Sequence, residues 1–201
     1  MKTKTINLYL FNELNEEQQK IVLNKYAHIN LEMLTSEDLL WDFSEAGQYI
    51  ADQGFLDPDI QYSCSNSQGD GLCFTCNNIN WDLMLEDLEI PHKSLFTKLL
   101  QGNELLLWHW DKINYRYTHE HTHRFRLFVN YDREGHTLPK ITYQLKRICL
   151  HVEHKKQEAC LTAFQKLVAG IDSLCSKDSV AETLIANEYC FNEETLKIDH
   201  E

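Results

Sequence analysis

Proline and glycine are scarce in this sequence, which has only 3 prolines and 7 glycines among 201 residues. Linkers between domains are usually rich in proline, glycine or serine, and no such linker is present here. The sequence also has no low-complexity tract and no internal repeat. We therefore predict a single domain over residues 1–201, which is long enough to bury a hydrophobic core.

Long hydrophobic runs are absent as well. The longest uncharged apolar run, residues 105–110, is far shorter than the roughly 20 residues that a membrane-spanning helix needs. Residues 1–6 contain two lysines and lack the apolar core of a signal peptide. These absences predict a soluble protein without a membrane partner, located in the cytoplasm of the host cell that makes it.

Basic residues are nearly missing from one stretch of the chain. Residues 12–90 contain 16 Asp and Glu but only Lys20 and Lys25, a balance of −14, whereas residues 91–201 contain 15 residues of each sign. An acidic surface disfavours direct contact with nucleic acid through residues 12–90. It favours a partner protein with a basic surface, and the alternative is an acidic surface that only aids solubility.

The clearest structural signal lies in residues 60–76. Two runs of alternating apolar and polar residues flank the loop Ser67-Gln68-Gly69-Asp70-Gly71, which predicts a β-hairpin with a tight turn at Asp70 and Gly71. The two glycines have two interpretations. They either only allow the backbone to turn, or they also expose N–H groups as an anion-binding nest, with Ser67, Gln68 and Asp70 presented to a ligand.

The spacing of apolar residues predicts the secondary structure of the rest of the chain. Alternation predicts strands at residues 3–11, 105–110, 115–119 and 125–131, and the second hairpin strand is expected to continue to residue 81. Helical spacing and capping residues predict helices at residues 16–34, 36–54, 91–102, 139–170 and 179–186, followed by a short hairpin at residues 188–198. The predicted fold is α+β: an antiparallel sheet of hairpins and a meander, helices packed mainly on one face, and one long helix in the C-terminal half.

The seven cysteines are an odd number and are expected to be reduced thiols, mostly buried as small apolar groups. Cys73 and Cys76 form a single C-x-x-C on a predicted strand, where they point to opposite faces, which disfavours zinc. Asp70-Gly71-Leu72-Cys73 superficially resembles the start of the catalytic motif of ovarian-tumour-type deubiquitinases. In that family the cysteine opens a helix, whose dipole favours the thiolate, so the strand pattern disfavours a nucleophile here.

Histidines cluster in His119-Glu120-His121-Thr122-His123. On a strand His119 and His121 would share a face and could bind a divalent metal ion, with His109 or Asp111 as a third ligand. His123 would lie about 13 Å from His119 along an extended strand, so one ion cannot bind all three unless the segment turns. The alternative is a set of solvated histidines at a strand end.

A small anionic or nucleotide-like ligand is a further possibility, if Arg116 and Arg124 lie beside the glycine loop. Its predicted ligand-binding residues come from the loop and from the Arg-Tyr-x-His element, namely Ser67, Gln68, Gly69, Asp70, Gly71, Arg116, Tyr117 and His119. The predicted metal ligands are His109, His119 and His121, and a divalent metal ion is the candidate cofactor.

Three stretches together resemble one family. They are Thr5-Ile6-Asn7-Leu8-Tyr9 with Phe11-Asn12-Glu13-Leu14-Asn15-Glu16-Glu17-Gln18-Gln19; Tyr62-Ser63 with Ser67-Gln68-Gly69-Asp70-Gly71-Leu72-Cys73-Phe74; and Arg116-Tyr117-Thr118-His119-Glu120-His121-Thr122 followed by Ala186-Asn187-Glu188-Tyr189-Cys190-Phe191. The chain resembles an uncharacterised family of small proteins encoded by bacteriophages and mobile elements, some of them labelled antitoxin-like.

This resemblance implies a bacteriophage or mobile-element setting but no reaction. In that family the positions of Cys73 and Cys76 are often Ser, Ala or Gly, which implies neither a thiol nucleophile nor zinc held by those cysteines. The chain differs from the family by a longer spacing between His109 and Arg116 and by its extra histidines, His121 and His123.

Two functions follow as expectations. The first is a phage-encoded cytoplasmic accessory protein of anti-defence type, without enzyme activity, that binds a basic host or defence protein through residues 12–90. The second is a ligand-binding or metal-binding protein, in one form an enzyme, whose site joins the glycine loop to the Arg-Tyr-x-His strand. A concave site where these two elements meet would favour the second function, because small-ligand sites need convergent polar groups.

Overall fold

The structure is a computed structural model that describes residues 7–65, 69–102, 106–113, 116, 118–129 and 139–198, with side chains in the last range from residue 142. The described helices are α1 (Glu16–Lys25), α2 (Ile29–Glu32), α3 (Ser36–Asp38), α4 (Ala46–Asp52), α5 (Trp81–Met84), α6 (Lys93–Gly102), α7 (Pro139–Leu174) and α8 (Lys177–Ala186). The described strands are β1 (Leu8–Leu10), β2 (Phe55–Leu56), β3 (Asp59–Ser63), β4 (Gly71–Thr75), β5 (Asn78–Ile79), β6 (Leu106–Lys112), β7 (His123–Val129) and β8 (Cys190–Asn192).

The α+β class and the long C-terminal-half helix are confirmed. Within the described residues the strands pair two by two, all antiparallel, as β1–β8, β2–β5, β3–β4 and β6–β7. The predicted hairpin at residues 60–76 is the β3–β4 pair, with Ile60 opposite Phe74 and Ser63 opposite Gly71. The single sheet of the prediction is therefore replaced by four small ladders in the part of the chain that is described.

Two predicted strands are wrong in detail. β4 ends at Thr75, and β5 pairs with β2 instead of prolonging the hairpin. Asn80 then caps α5, because its Oδ1 accepts a hydrogen bond of 3.2 Å from the backbone N–H of Leu83. The predicted strand at residues 115–119 is also absent from its described part, where Thr118 and His119 lead into a turn.

The chain divides into two compact units. Unit 1 contains residues 1–43 and 169–201, and unit 2 contains residues 44–168. The single domain over residues 1–201 stays a prediction. None of the described helices combines the length and the apolar character that crossing a bilayer requires.

Unit 1 packs α1, α2 and α8 with the β1–β8 ladder around one apolar cluster. Its buried members are Phe11, Leu14, Val22, Ile29, Val180, Leu184, Phe191 and Leu196. The capping box predicted for α1 is confirmed, since Asn15 Oδ1 accepts from the N–H of Gln18 at 2.9 Å and Gln18 Oε1 accepts from the N–H of Asn15 at 3.1 Å. The predicted helix over residues 16–34 is interrupted after Lys25 and resumes as α2.

Unit 2 is built on one buried stripe of α7 and on a cluster of aromatic rings. The stripe repeats every three or four residues, as one face of a helix requires, and consists of Leu145, Ile148, Val152, Lys156, Ala159, Cys160, Ala163 and Leu167. The aromatic cluster has neighbouring centroids 4.9 to 6.4 Å apart and consists of Phe55, Phe74, Trp81, Trp108, Trp110 and Phe125. Lys156 is the exception in the stripe, because it is charged and yet 1% exposed.

Candidate functional site

The glycine loop and the histidine segment lie in direct contact. A Cβ added at Gly71 would lie 2.8 Å from the backbone oxygen of Thr118, closer than real Cβ atoms come to other atoms, and 3.1 Å from the Cα of His119, which is a tight contact. Gly71 lies in strand β4 and does not have a positive φ, so the turn prediction was wrong about its conformation. A glycine is required at this position because of the close approach of Thr118. The loop and the Arg-Tyr-x-His element therefore converge.

Asp70 has a structural role in the loop. Its Oδ1 accepts hydrogen bonds of 2.9 Å from the hydroxyls of Ser63 and Ser65, which close the loop from the β3 side. Gly69 lies in the turn before it. Three of the predicted ligand-binding residues, Ser67, Gln68 and Tyr117, lie outside the described residues.

The histidine segment forms a reverse turn and not the predicted strand. The N–H of Thr122 donates to the carbonyl of His119 at 2.9 Å, and the N–H of His119 donates to the Thr122 hydroxyl at 3.0 Å. The N–H of His121 donates to His119 Nδ1 at 3.1 Å. The backbone oxygen of Thr122 then accepts from Ile113 at 2.9 Å, which joins the turn to the end of β6.

The predicted metal ligands are only partly brought together. The rings of His119 and His121 have centroids 5.7 Å apart in the turn. His109 lies opposite Arg126 within the β6–β7 ladder, three residue pairs from the end at Lys112 and hence about 10 Å along the strand. Among the described residues no group of three His, Cys, Asp or Glu side chains is placed to hold a metal ion.

His109 belongs to an exposed ion-pair network instead. Its Nε2 lies 2.8 Å from Asp111 Oδ1, and Arg126 Nε donates to Asp111 Oδ2 at 2.8 Å. The hydrogen bond from Arg126, with a smaller contribution from His109, lowers the pKa of the Asp111 carboxyl. Asp111, named in the sequence as an alternative metal ligand, is thus engaged by two neighbours.

Lys156 of α7 is hydrogen-bonded to the backbone of the histidine turn. Its Nζ donates to the backbone oxygens of Glu120 at 3.1 Å and His123 at 3.3 Å. The same ammonium group lies 5.7 Å from the ring centroid of Phe74 and 5.6 Å from that of Trp110, within cation–π range. Burial lowers the pKa of Lys156, because the apolar surroundings disfavour its charged form.

A cleft of about 270 Å³ opens beside this lysine. It is lined by Ile113, Glu120, His121, His123, Arg124, Glu153, Lys156 and Gln157. One pair of opposite charge lies among these residues, since Arg124 Nε is 3.8 Å from Glu153 Oε1. His121 Nε2 is 3.4 Å from Glu120 Oε1. We call this place the Lys156 cleft.

His123, which also lines the Lys156 cleft, has an unusual polar atom. Its Nδ1 is buried and has no hydrogen-bond partner in the part of the chain that the structure describes. Burial lowers the pKa of His123, and the positive charges of Lys156 and Lys112 lower it further. His123 is therefore a neutral imidazole near pH 7, with one ring N–H donor and one acceptor.

The cysteines of the hairpin are poorly placed for thiolate chemistry. Cys73 and Cys76 are free thiols, 0% and 4% exposed. Burial raises the pKa of both, that of Cys76 to about 12. Cys160 is buried too, whereas Cys64 is exposed, so the expectation of buried thiols is confirmed for some of the seven cysteines only.

The sequence located the loop and the histidine segment but not the residues of α7. Gly71 and His119 come together, which is the condition set for the second of the two expected functions, and Arg116 is exposed in the chain segment between β6 and His119. Lys156, Glu153 and Gln157 were missed. The available signal was a lysine at a position where the helical period of α7 calls for an apolar residue.

The described fold and its cleft define an α+β protein with a small polar site at the end of a β-hairpin. No protein-family model, no curated protein and no solved structure matches the chain.

Proposed function

We propose that this protein is a non-enzymatic binding protein that engages a basic partner protein through unit 1. The observation that carries the proposal is the charge of that unit, whose sequence contains 15 Asp and Glu but 6 Lys, a balance of −9 out of −12 for the chain. The acidic residues 12–90 are divided between the two units, and unit 1 gains the acidic residues 169–201. The proposed contact surface is accordingly unit 1, not residues 12–90 as a whole.

Most carboxylates of unit 1 lie at the surface. Twelve of them are exposed: Glu13, Glu16, Glu17, Glu32, Glu37, Asp42, Asp172, Asp178, Glu182, Glu188, Glu193 and Glu194. A surface of one sign steers a partner of the opposite sign and repels nucleic acid. The resemblance to phage and mobile-element proteins supports a host or defence protein as the partner.

Matched charge reversals test this proposal. Glu32→Lys with Glu182→Lys changes unit 1 by four charges, and Glu86→Lys with Glu89→Lys changes unit 2 equally; all four positions are exposed. In pull-downs from host lysate at 50 and 300 mM salt, we expect a specific partner whose recovery falls with salt and with the unit 1 variant alone. Recovery that is indifferent to salt, or equal for both variants, would contradict the proposal.

A second candidate function is the binding of a small anionic or nucleotide-like ligand, or of a metal ion, at the junction of the loop and the histidine turn. The approach of Gly71 to Thr118 and His119 supports it, because the two elements named from the sequence meet there. Glu120 and His121 of the histidine turn line the concave Lys156 cleft, whereas no residue of the glycine loop does. Catalysis at this place is one form of the same candidate.

Gly71→Ala is the sharpest test of the second candidate. The added methyl group must displace the Thr118 backbone, so we expect a loss of about 1–3 kcal/mol of stability and weaker ligand binding. Gly102→Ala is the matched control, since a Cβ there meets no described residue within 4 Å. Thermal melting with nucleotides, phosphate and divalent metal salts measures both effects. The second candidate is wrong if none of these compounds raises the Tm of the wild type.

A further inference from the structure

The ammonium group of Lys156 is a buried charge that no carboxylate of the described residues contacts directly. Among the described residues no Asp or Glu oxygen lies within 4 Å of its Nζ, and its two hydrogen bonds go to neutral carbonyls. Buried charges in proteins are normally paired with an opposite charge, because desolvation of an unpaired ion costs several kcal/mol. Lys156 therefore lacks a direct ionic partner among the described residues, and it lies at the edge of an open cleft.

The carboxylates of the cleft do not fill this role. Glu153 faces Arg124 at 3.8 Å, and Glu120 faces His121 at 3.4 Å. Both carboxylates act on the charge of Lys156 from a distance, but neither is in contact with its ammonium group. An anion from outside the chain would supply the direct ionic contact that Lys156 lacks among the described residues.

His123 provides the second contact that such a group needs. Its buried Nδ1 lacks a partner among the described residues, its backbone oxygen accepts from Lys156, and both residues line the same cleft. In the tautomer with Nδ1–H, His123 has one N–H to donate, and Lys156 has another. Two donors at one cleft suit the two oxygens of an oxyanion better than a single-atom halide.

We infer that the Lys156 cleft binds a compact oxyanion, a small monocarboxylate or inorganic phosphate, with Lys156 as the counter-charge and His123 as a second donor. This inference rests on the second candidate function and narrows its ligand. The volume of about 270 Å³ is close to the lower end of the roughly 300–1,000 Å³ of pockets for drug-sized ligands, which favours a compact anion over a whole nucleotide.

The test compares the thermal melting of the full chain in sodium acetate, phosphate and chloride at equal ionic strength and pH 7. We expect the Tm to rise with the logarithm of acetate or phosphate concentration relative to chloride, as binding to the native state requires. The oxyanion that raises the Tm at the lower concentration shows whether the cleft prefers a carboxylate or a phosphate. Lys156→Met removes the charge and keeps most of the volume, and it should abolish the rise.

Lys155→Met is the matched control, since Lys155 pairs with Asp87 at 3.1 Å and does not line the cleft. It should keep the full response. A wild type indifferent to both oxyanions, or an unchanged response in Lys156→Met, overturns the inference.

A measurement on the wild type covers the case in which Lys156→Met does not fold. The ring ¹⁵N resonances of His123 should shift during the acetate or phosphate titration, and those of the exposed His154 should not. Resonances of His123 that stay fixed while the Tm rises place the anion elsewhere and overturn the inference. In that outcome the second candidate function survives if Gly71→Ala weakens the binding, so the two failures are distinguishable.

Discussion

The Nζ of Lys156 lies 3.1 Å from the backbone oxygen of Glu120, which joins the middle of a 36-residue helix to a turn 36 residues earlier in the chain. Lys156 connects elements of unit 2 non-covalently, since it also donates to His123 and lies over two aromatic rings. The shape of the histidine turn thus depends on a residue of another element.

Lys156→Ala should destabilise the protein by about 2–4 kcal/mol, because it leaves a cavity in the α7 stripe and removes the donor from two carbonyls. Urea unfolding at pH 7 measures the change. Lys155→Ala should lose less than about 1 kcal/mol, since Asp87, its partner, is 72% exposed. If the two alanine variants lost the same free energy of unfolding, the contacts of Lys156 with the histidine turn would not stabilise the protein as expected.

Asn15→Ala should lower the stability by about 1 kcal/mol, because two N–H groups in the first turn of α1 lose their acceptor. Asn12→Ala is the control, as Asn12 is exposed and precedes the cap. Urea midpoints of the two variants provide the comparison. A larger loss for Asn12→Ala would contradict the cap seen at α1.

The stability of the protein should fall as the pH decreases from 7 toward 5. The native pKa of His123 lies below its usual value of 6.5, so the unfolded chain binds more protons once the pH reaches this range. The stabilisation is thus complete above the unfolded pKa and is lost as the pH falls through the native one. Lys156 and Lys112 depress the pKa of His123, and Asp59 opposes them.

His151 contributes in the same direction, because burial lowers its pKa as well. Urea unfolding at several pH values should therefore give a shallower slope for His123→Gln than for the wild type. The exposed His154→Gln serves as the control. A slope that His123→Gln leaves unchanged would argue against the burial of this imidazole.

Thiol reactivity should follow burial. In the native protein a small alkylating reagent at pH 8 should modify Cys64 first, whereas Cys73, Cys76 and Cys160 should react only after unfolding. Mass spectrometry of timed digests gives the order. Rapid modification of Cys73 in the folded protein would instead point to thiol chemistry at the hairpin.

Local signals in the sequence predicted much of the fold correctly. The capping box at Asn15, the hairpin at residues 60–76 and the long helix α7 each depend on residues within a few positions or on a repeated period, so they are readable from the chain alone. At its described positions the strand predicted at residues 115–119 is replaced by the start of a turn, which the hydroxyl and the N–H of Thr122 hold through His119. The alternation of apolar and polar residues does not reveal that a threonine hydroxyl competes with strand pairing for a backbone N–H group.

The sequence by itself determined the α+β class, the helix caps and the acidic character, since these depend on composition and on short-range contacts. Only the tertiary structure decided that Gly71 packs against Thr118, that acidic residues 169–201 join unit 1, and that Lys156 lies buried under the histidine turn. The physical reason is that burial and charge pairing depend on groups brought together from distant parts of the chain. Lys156 receives its carbonyls from the turn and its aromatic rings from β4 and β6, and no local pattern around residue 156 encodes those neighbours.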